Sequence, residues 1–491
     1  MKILFIYFNS KYRPRTLLSL SIIETIAKKL GHSTRIFDSS FYSCFFDKKD
    51  FHTLDAGIFK AADNLHIPPK RTDPYEDLKR VVDDFQPQLI AFSFYINQIN
   101  AQRAILAPLK KEFPEIKILA GGSQCILNPE ESIKEPYIDM MCYGEGEEFF
   151  KSLSEKMDRG EDISAIQGLW LKTDGGDILR NAITRLTELD NVPVQDWDSY
   201  DPVHIYGLFD GHAFRMGHVE FTRGCHYSCT YCGQKFIRNA FAKSGQKGFV
   251  RHKSPLIAVN EYKELKEKYD LEMFYFVDGN FSAMPTSILE ELAKLYREKV
   301  GLPFIAQVHP QSINERKAEL LGLMGCKHVS IGVESGNEEY RENVMGRKMS
   351  NRQIVNAIHW LKRNGVKVST YNIIGMPGMD RKHVFETIDL NREAKADTSI
   401  VASFVPYPDS EITRRLINKG MLDPGKIKIV TQGTEPTIEI KEMSADEIKG
   451  LYSTFNLYLN LPKFTFPAIK MLERSGHVTN FVRKQIYRLM R

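Results

Sequence analysis

The chain has 491 residues, of which 42% are hydrophobic and 26% charged, and a formal charge of +5 at pH 7. Because domains usually span about 100–200 residues, this length predicts two or three domains. The composition is ordinary for a soluble enzyme, and so small a net charge predicts no nucleic-acid partner. Seven cysteines are too few for a disulfide scaffold. We therefore expect a reducing, cytoplasmic location.

The amino terminus begins with an apolar run, Met1–Phe8, that is too short for a signal peptide. It is predicted to be a buried first strand. No run approaches the roughly 18 apolar residues of a transmembrane helix, so we expect no membrane-spanning segment.

Residues 1–160 alternate short apolar strands with amphipathic helices, which predicts an α/β, Rossmann-like, doubly wound parallel sheet. The expected strands are Ile3–Phe8, Thr34–Asp38, Leu89–Tyr95, Ile116–Ala120 and Ile138–Tyr143. Ligands bind such sheets at the carboxyl ends of the strands. Two glycine-containing runs, Gly121-Gly122 and Gly144–Glu147, fall at those ends. Residues 39–80 interrupt the alternation and are interpreted as an insertion or lid.

A linker is expected at 161–215, with a hairpin signature at Trp170–Leu179. The alternation resumes at 216–410 and predicts a partial (β/α)6 barrel with its functional ends at the strand carboxyl ends. The expected strands are Gly217–Thr222, Met273–Asp278, Phe304–Val308, His328–Val333, Lys367–Ile374 and Thr398–Pro406. The helices expected between them include Leu256–Tyr269, Thr286–Lys299, Asn351–Asn364 and Lys382–Lys395.

The region 411–491 is predicted to be mainly helical. Its end, Leu461–Arg491, carries seven Lys or Arg residues against one acidic residue, Glu473, with apolar residues between them. One interpretation is a helical cap with a solvated basic face. The other is an interfacial helix that makes peripheral contact with an anionic membrane.

The first barrel strand leads into the run Thr222–Gly233, which contains Cys225, Cys229 and Cys232 in the spacing C-x3-C-x2-C. Three thiolates do not complete a structural zinc site, which takes four protein ligands. They can bind three irons of a [4Fe–4S] cluster and leave the fourth iron open to a small molecule. A different metal site, completed by Cys326 or a histidine, is the alternative.

This loop, in its barrel context, resembles the radical S-adenosylmethionine superfamily. Further runs carry the resemblance: Val277–Phe281, Ile331–Gly336, Arg347-Lys348, Tyr371–Gly378 and Phe404–Ser410. The resemblance implies a [4Fe–4S] cluster on the three cysteines, S-adenosylmethionine at the open iron and formation of a 5′-deoxyadenosyl radical. A flavodoxin or ferredoxin is the expected electron donor.

The resemblance also assigns residues to S-adenosylmethionine. Tyr231 is expected near the adenine, Glu334 and Ser335 at the ribose or amino group, Arg347 at the carboxylate, and Gly375 and Pro377 beside the adenine. For two of these residues, a role without ligand binding stays open. Glu334 could be a solvated carboxylate at a strand end, and Arg347 could form a surface ion pair.

The first 160 residues resemble the cobalamin-binding domain found in a class of radical S-adenosylmethionine enzymes. The matching runs are Leu89–Phe94, Leu119–Ser123 with Asn128–Glu130, and Tyr143–Glu147. The residues implied for cobalamin are Ser93, Gly121, Gly122, Ser123, Gly144, Glu145, Gly146 and Glu147. The D-x-H-x-x-G signature of histidine ligation to cobalt is absent, as is usual in this class. A degenerate domain that no longer binds cobalamin is the alternative.

The resemblance predicts an enzyme that methylates an unactivated carbon of a small-molecule or lipid substrate. Radical cyclisation, rearrangement or carbon–carbon coupling, the last without cobalamin and on lipid, stays open. An iron–sulfur electron-transfer or sensing protein is the alternative from another class. The sequence identifies no catalytic acid or base. Four residues at barrel strand ends are placed near the cavity without a role: Phe281, Gln307, His309 and Tyr407.

Overall fold

The computed structural model describes residues 1–9, 15–45, 67–408, 410–424 and 436–489. These residues form two compact units, each built from several stretches of chain. The first contains Met1–Cys225, Phe236–Val277 and Glu298–Leu302. The second contains His226–Lys235, Asp278–Arg297 and Pro303–Arg491. The domain boundaries expected at 160, 215 and 410 stay predictions.

The first unit contains a seven-stranded sheet. Its strands are β1 Lys2–Tyr7, β2 Ser33–Asp38, β3 Leu89–Ser93, β4 Lys117–Gly121, β5 Met140–Cys142, β6 Leu169–Lys172 and β7 Ile178–Arg180. Their order is β2–β1–β3–β4–β5–β6–β7. Strands β1 to β5 are parallel, which confirms the predicted doubly wound sheet. The predicted hairpin is present as β6 and β7, and it extends this sheet from within the expected linker.

Among the described residues, six helices connect these strands. They are α1 Leu18–Lys29, α2 Pro74–Phe85, α3 Ile99–Glu112, α4 Ser123–Leu127, α5 Pro129–Lys134 and α6 Glu147–Asp158. Helix α2 shows why such a segment folds: Asp73 caps it through its side chain, and Pro74 occupies its first turn. Its apolar face buries Leu78, Val82 and Phe85.

The insertion expected at 39–80 differs from the structure at its end. Residues 74–80 belong to α2, which is the ordinary connection between β2 and β3. The polar, proline-containing stretch there is a helix start and not an irregular loop. Residues 46–66 lie outside the described residues.

Five further described strands of the first unit lie before and after the cysteine loop in the chain. They are β8 Tyr206–Phe209, β9 His212–Val219, β10 Thr222–Arg223, β11 Arg251–His252 and β12 Met273–Phe276, with helices α7 Gly233–Lys243 and α8 Pro255–Tyr269. Strands β8 and β9 form a hairpin, and β9 pairs in parallel with β12. The first barrel strand therefore starts earlier than the predicted Gly217, because Asp210-Gly211 forms a tight turn with positive φ at both residues.

The second unit contains four parallel barrel strands in sequential order: β13 Phe304–Val308, β14 Cys326–Glu334, β15 Lys367–Ile374 and β16 Thr398–Ser403. The helices that precede, separate or follow them are α9 Thr286–Lys299, α10 Glu315–Leu323, α11 Glu338–Asn343, α12 Asn351–Arg363 and α13 Arg381–Ala394. The predicted alternation of strands and helices is confirmed here. The last strand ends three residues before the predicted Pro406.

The carboxyl-terminal region is helical, as predicted. Its helices are α14 Glu411–Asn418, α15 Ala445–Asn460, α16 Phe466–Leu472 and α17 His477–Leu489. Leu451 and Phe455 of α15 are buried in one core with Ile374 and Ile388, so this region packs on the barrel strands of its own unit. Among the described residues, no helix is long and apolar enough to cross a membrane.

Candidate functional site

The cysteine loop begins where β10 ends. Gly224 has φ +96°, and a side chain there would lie 2.5 Å from the carbonyl oxygen of Phe249. Only glycine fits this close approach. The next residue, Cys225, accepts a hydrogen bond at its carbonyl oxygen from Arg238 Nη1 at 3.2 Å. These two contacts fix the backbone that carries the first thiol.

The remainder of the loop is fixed within the second unit by a clamp. Thr230 donates its backbone N–H to the carbonyl oxygen of Met345 at 3.0 Å and its hydroxyl to that of Val344 at 2.8 Å. Gly346 has φ +67°, and a side chain there would lie 2.7 Å from the carbonyl oxygen of Ser228. The clamp therefore brings the residue that follows Gly346 to the cysteines.

That residue is Arg347, which is 5% exposed. Its Nη1 lies 3.6 Å from the Cys229 sulfur and 3.4 Å from the Tyr231 hydroxyl, and its Nη2 donates to the Gly332 carbonyl oxygen at 2.6 Å. Its Nε has no hydrogen-bond partner among the described residues. The surface ion pair considered for Arg347 is wrong. A buried cation beside Cys229 suits a ligand that binds as thiolate.

Glu334 ends β14 with φ +65° and lies 3.9 Å from Arg347. Its side chain is 12% exposed, so the solvated carboxylate considered above is wrong. A non-glycine residue in the left-handed region is uncommon, and such strain concentrates at functional sites. Burial raises the pKa of Glu334, and Arg347 and the Tyr231 hydroxyl offset this only in part. A cationic ligand group would stabilise its charged form.

Three other residues predicted for S-adenosylmethionine have contacts within the protein. Ser335 is fully buried, and its hydroxyl accepts a backbone N–H. Gly375 has φ +73°, and a side chain there would lie 3.2 Å from Ile448. The Pro377 carbonyl oxygen accepts from the Tyr340 hydroxyl at 2.8 Å. Their contact with S-adenosylmethionine stays a prediction.

The donor set of the loop suits an iron–sulfur cluster. Cys326, considered for an alternative metal site, is buried, and its thiol lies 3.5 Å from the His328 carbonyl oxygen. The buried Cys229 and half-buried Cys225 and Cys232 offer three thiolates on one short loop, and a guanidinium lies beside one of them.

The carboxyl ends of β3 and β4 carry the first residues predicted for cobalamin. The Ser93 hydroxyl is buried without a partner among the described residues. Gly122 has φ +94°, and a side chain there would lie 2.6 Å from that hydroxyl. A side chain on Gly121 would meet no atom within 4 Å, and Ser123 begins α4. An unpaired hydroxyl beside an open glycine edge fits a ligand that approaches the backbone closely.

The second glycine run, Gly144–Glu147, instead packs against its own unit. Gly144 has φ +135°, and a side chain there would collide with Thr184. Glu145 donates its backbone N–H to the Thr184 hydroxyl at 2.7 Å. A side chain on Gly146 would lie 3.3 Å from Ile23. The glycines here allow close packing of protein on protein.

The two carboxylates of this run belong to an arginine network of five residues. Glu145 pairs with Arg251 and lies 3.5 Å from Arg223, and Glu147 pairs with Arg223 at 2.8 Å. Arg223 also pairs with Glu220. Both predicted cobalamin residues thus have partners within the protein, and their contact with cobalamin stays a prediction.

Sequence reasoning missed several residues of these sites. Arg223 and Arg251 were not singled out, although an arginine two residues before Cys225 was visible. His309 was placed at a strand end without a role. The structure stacks its ring on Tyr227 of the cysteine loop, with ring centroids 3.5 Å apart and 17° between planes.

Comparison with known families agrees with this geometry. The model of the radical SAM superfamily matches residues 219–390, and that of the B12 binding domain matches residues 56–154. The matches define a radical S-adenosylmethionine enzyme with an N-terminal cobalamin-binding domain. The chain therefore contains a radical SAM domain and a B12 binding domain, and its cofactors are a [4Fe–4S] cluster, S-adenosylmethionine and cobalamin.

Three known proteins illustrate the likeness. An uncharacterised methyltransferase of Pyrococcus horikoshii is 23% identical over 77% of this chain and 79% of its own. An anaerobic magnesium-protoporphyrin IX monomethyl ester cyclase of Rubrivivax gelatinosus is 23% identical over 86% and 76%. The structure of the radical S-adenosylmethionine methyltransferase TsrM from Kitasatospora setae matches with TM-score 0.65 and 16% identity, over 85% of this chain and 76% of that one. This last likeness confirms the fold class.

Proposed function

We propose that this enzyme methylates an unactivated carbon of a small-molecule or lipid substrate. The observation that carries the proposal is the presence of both family matches, radical SAM and B12 binding, in one chain. When bound, the cluster supplies the electron that cleaves S-adenosylmethionine to a 5′-deoxyadenosyl radical, and cobalamin supplies a methyl carrier. The relatives described as methyltransferases support this choice over cyclisation.

The residues have complementary roles in this proposal. Cys225, Cys229 and Cys232 hold the cluster. Arg347 and Glu334 carry opposite charges 3.9 Å apart, which matches the carboxylate and ammonium groups of S-adenosylmethionine. The other residues proposed for this ligand are Tyr231, Ser335, Gly375 and Pro377. Those proposed for cobalamin are Ser93, Gly121, Gly122 and Ser123, together with Gly144, Glu145, Gly146 and Glu147. The domain boundaries at 160, 215 and 410 belong to the same proposal.

The test uses enzyme reconstituted anaerobically with iron, sulfide and cobalamin. It is incubated under reduction with methyl-deuterated S-adenosylmethionine and extracts of metabolites or lipids. We expect a product that carries the deuterated methyl group, with S-adenosylhomocysteine and 5′-deoxyadenosine formed together. 5′-Deoxyadenosine without labelled product or S-adenosylhomocysteine would contradict methyl transfer.

Radical cyclisation is the second candidate, and the Rubrivivax relative favours it. It predicts consumption of a substrate whose product carries no deuterium. Carbon–carbon coupling on lipid also predicts a product without deuterium, and its cobalamin-free form does not agree with the B12 binding domain. The same incubation therefore separates methyl transfer from both other reactions.

We further propose that the enzyme acts in the cytoplasm and receives its electron from a flavodoxin or ferredoxin. Low-potential electrons from such a donor suit a [4Fe–4S] cluster. Replacing dithionite with reduced flavodoxin in the incubation should sustain formation of 5′-deoxyadenosine. Loss of turnover with both protein donors would contradict this assignment.

Peripheral membrane contact is proposed for a carboxyl-terminal face made of Phe464, Met471, Val478, Phe481, Lys484 and Arg488. Phe464 is 83% exposed, Met471 72% and Phe481 62%. Val478, Phe481 and Lys484 follow one another on the outward side of α17. The acidic residue of the segment 461–491, Glu473, already pairs with Arg381. Exposed apolar rings among lysine and arginine fit an anionic lipid surface.

Sedimentation with vesicles tests this face. The enzyme should bind vesicles of phosphatidylglycerol and phosphatidylcholine more tightly than phosphatidylcholine alone. Because burying one phenylalanine contributes about 1.5–3 kcal/mol, Phe481→Ser should weaken binding at least about tenfold. Leu323→Ser, at a 47% exposed leucine of α10, is the matched control. Equal binding to both vesicles would contradict the proposal.

A further inference from the structure

His309 lies directly after β13 and is held at three points within the second unit. Its backbone N–H donates to Asn280 Oδ1 at 3.1 Å. Its Nδ1 accepts the backbone N–H of Gln311 at 3.3 Å, which caps the short turn that starts at Pro310. Its ring stacks on Tyr227. Neither the backbone nor the ring can rotate without breaking one of these contacts.

These contacts determine which nitrogen of the ring carries the proton. Because Nδ1 accepts a hydrogen bond, the neutral imidazole carries its proton on Nε2. Burial, together with the positive charge of Arg347 and His226, lowers the pKa of His309 to about 2, so the ring stays neutral in the working pH range. Nε2–H is therefore a fixed hydrogen-bond donor.

Among the residues that the structure describes, that donor has no acceptor. His309 is 7% exposed, and its Nε2 has no hydrogen-bond partner among the described residues. A buried donor without a partner is costly and requires an explanation in a native protein. The neighbouring Arg347 has the same property at Nε. Two buried donors beside the cysteine loop therefore lack an acceptor among the described residues: Arg347 Nε and His309 Nε2.

We propose that His309 is a positioning residue for S-adenosylmethionine, to which its Nε2–H donates a hydrogen bond at an acceptor oxygen. The molecule that binds the open iron brings carboxylate and ribose oxygens to the cysteine loop. The stack on Tyr227, between Cys225 and Cys229 in the chain, keeps the imidazole beside that loop. This inference rests on S-adenosylmethionine as the cofactor and not on methyl transfer, so its failure leaves the proposed reaction untouched.

Two substitutions separate this role from that of a turn cap. In His309→Asn, the amide oxygen replaces Nδ1 and can keep the cap, but no donor remains at the position of Nε2. In His309→Gln, the longer amide can place its NH2 group near that position, while the cap is lost. The ligand role therefore predicts loss in the Asn variant and rescue in the Gln variant. A purely structural role predicts the reverse.

The measurement is equilibrium binding of S-adenosylmethionine to the reconstituted holoenzyme under anaerobic, unreduced conditions. Losing one hydrogen bond to a charged acceptor corresponds to about 10- to 100-fold in affinity. We expect His309→Asn to raise Kd at least about tenfold, and His309→Gln to stay within about threefold of the unmodified enzyme. His383→Asn is the control, because His383 also accepts a backbone N–H at a helix start.

Iron content and the electron paramagnetic resonance signal of the reduced cluster should be equal in all variants. Loss of affinity in the Gln variant with retention in the Asn variant would overturn the proposal. Unchanged affinity in both variants would also overturn it.

Discussion

Two buried groups of charged side chains differ in how completely the protein satisfies them. In the arginine network, the carboxylates of Glu145, Glu147 and Glu220 each pair with an arginine. In the second group, called here the Arg347 site (Tyr231, Glu334 and Arg347 beside Cys229), the two charges lie 3.9 Å apart. One guanidinium Nε in each group, that of Arg251 and that of Arg347, has no partner among the described residues, so the difference between the groups lies in their carboxylates.

The pKa values of two carboxylates, one in each group, also shift in opposite directions. Burial raises the pKa of Glu220, but Arg223, Lys253 and Arg251 more than offset it, so that the pKa lies below 4.5. For Glu334, burial raises the pKa more than Arg347 and the Tyr231 hydroxyl lower it, so the pKa is raised. The same residue types therefore support the fold where each carboxylate pairs closely with an arginine, and offer a binding site where the carboxylate does not.

The largest expected effect is at the cysteines. Cys229→Ser should reduce formation of 5′-deoxyadenosine more than about 100-fold, because even residues behind a metal's direct ligands account for 10- to 100-fold. Iron content per chain should fall with it. Cys44→Ser is the control, since Cys44 is exposed and outside the loop. Full iron content in Cys229→Ser would remove Cys229 from the ligand set.

The next-largest effect is expected from a substitution that breaks the arginine network. Arg223→Met leaves three carboxylates without their shared cation, so the free energy of unfolding of the apoprotein should fall by about 2–4 kcal/mol. Urea unfolding measures it. Arg347→Met should cost clearly less stability, because Glu334 is already poised to take up a proton, yet it should weaken S-adenosylmethionine binding. Equal destabilisation by the two substitutions would erase the distinction between the groups.

Glu334→Gln tests the Arg347 site further, because it should stabilise the apoprotein while it weakens binding of S-adenosylmethionine. A carboxyl whose folded pKa is raised destabilises the folded state as pH rises above its unfolded pKa near 4.5. The variant should therefore raise the melting temperature of the apoprotein at pH 7, and this gain should vanish below about pH 4.5. Its Kd for S-adenosylmethionine should rise about tenfold, as expected for losing a charged hydrogen-bond acceptor. A lower melting temperature at pH 7 would contradict the direction of this shift.

The smallest expected effect comes from removing the Ser93 hydroxyl, which lies at the carboxyl end of β3 where we propose that cobalamin binds. Ser93→Ala removes an atom without a partner among the described residues, so the apoprotein should keep or slightly gain stability. The Kd for hydroxocobalamin should rise about two- to tenfold if Ser93 contacts the ligand, as we propose. Thr184→Ala is the contrast, since Thr184 supports Gly144–Glu147 and its loss should lower stability. Unchanged cobalamin affinity in Ser93→Ala would remove Ser93 from the proposed site.

Most of the strand and helix pattern could be read from the sequence, because local periodicity reports it. Phe304–Val308 and Lys367–Ile374 are strands with the predicted bounds. The sequence pattern places the start of the first barrel strand too late, because the turn at Asp210-Gly211 lies within the expected linker. Patterns of this kind need no knowledge of distant residues.

The candidate sites were less predictable, because their meaning depends on partners far away in the chain. Arg347 lies 118 residues after Cys229 in the chain, and only the clamp through Thr230 brings it there. Gly144–Glu147 has the glycine and acidic pattern of a ligand loop, but the sequence does not show that Arg223 and Arg251 occupy its carboxylates. A motif shows which functional groups are present, but not whether other residues of the protein already pair with them.

The clamp on Thr230 has a consequence for how the holoenzyme matures. Its bonds to Val344 and Met345, and the close packing of Gly346 on Ser228, involve no metal. We expect the backbone around Cys229 and Cys232 to take this shape in the apoprotein, since none of these contacts uses a cysteine thiol. Loading the cluster would then need only rotation of the thiols, unlike a zinc finger, which folds only as the metal binds.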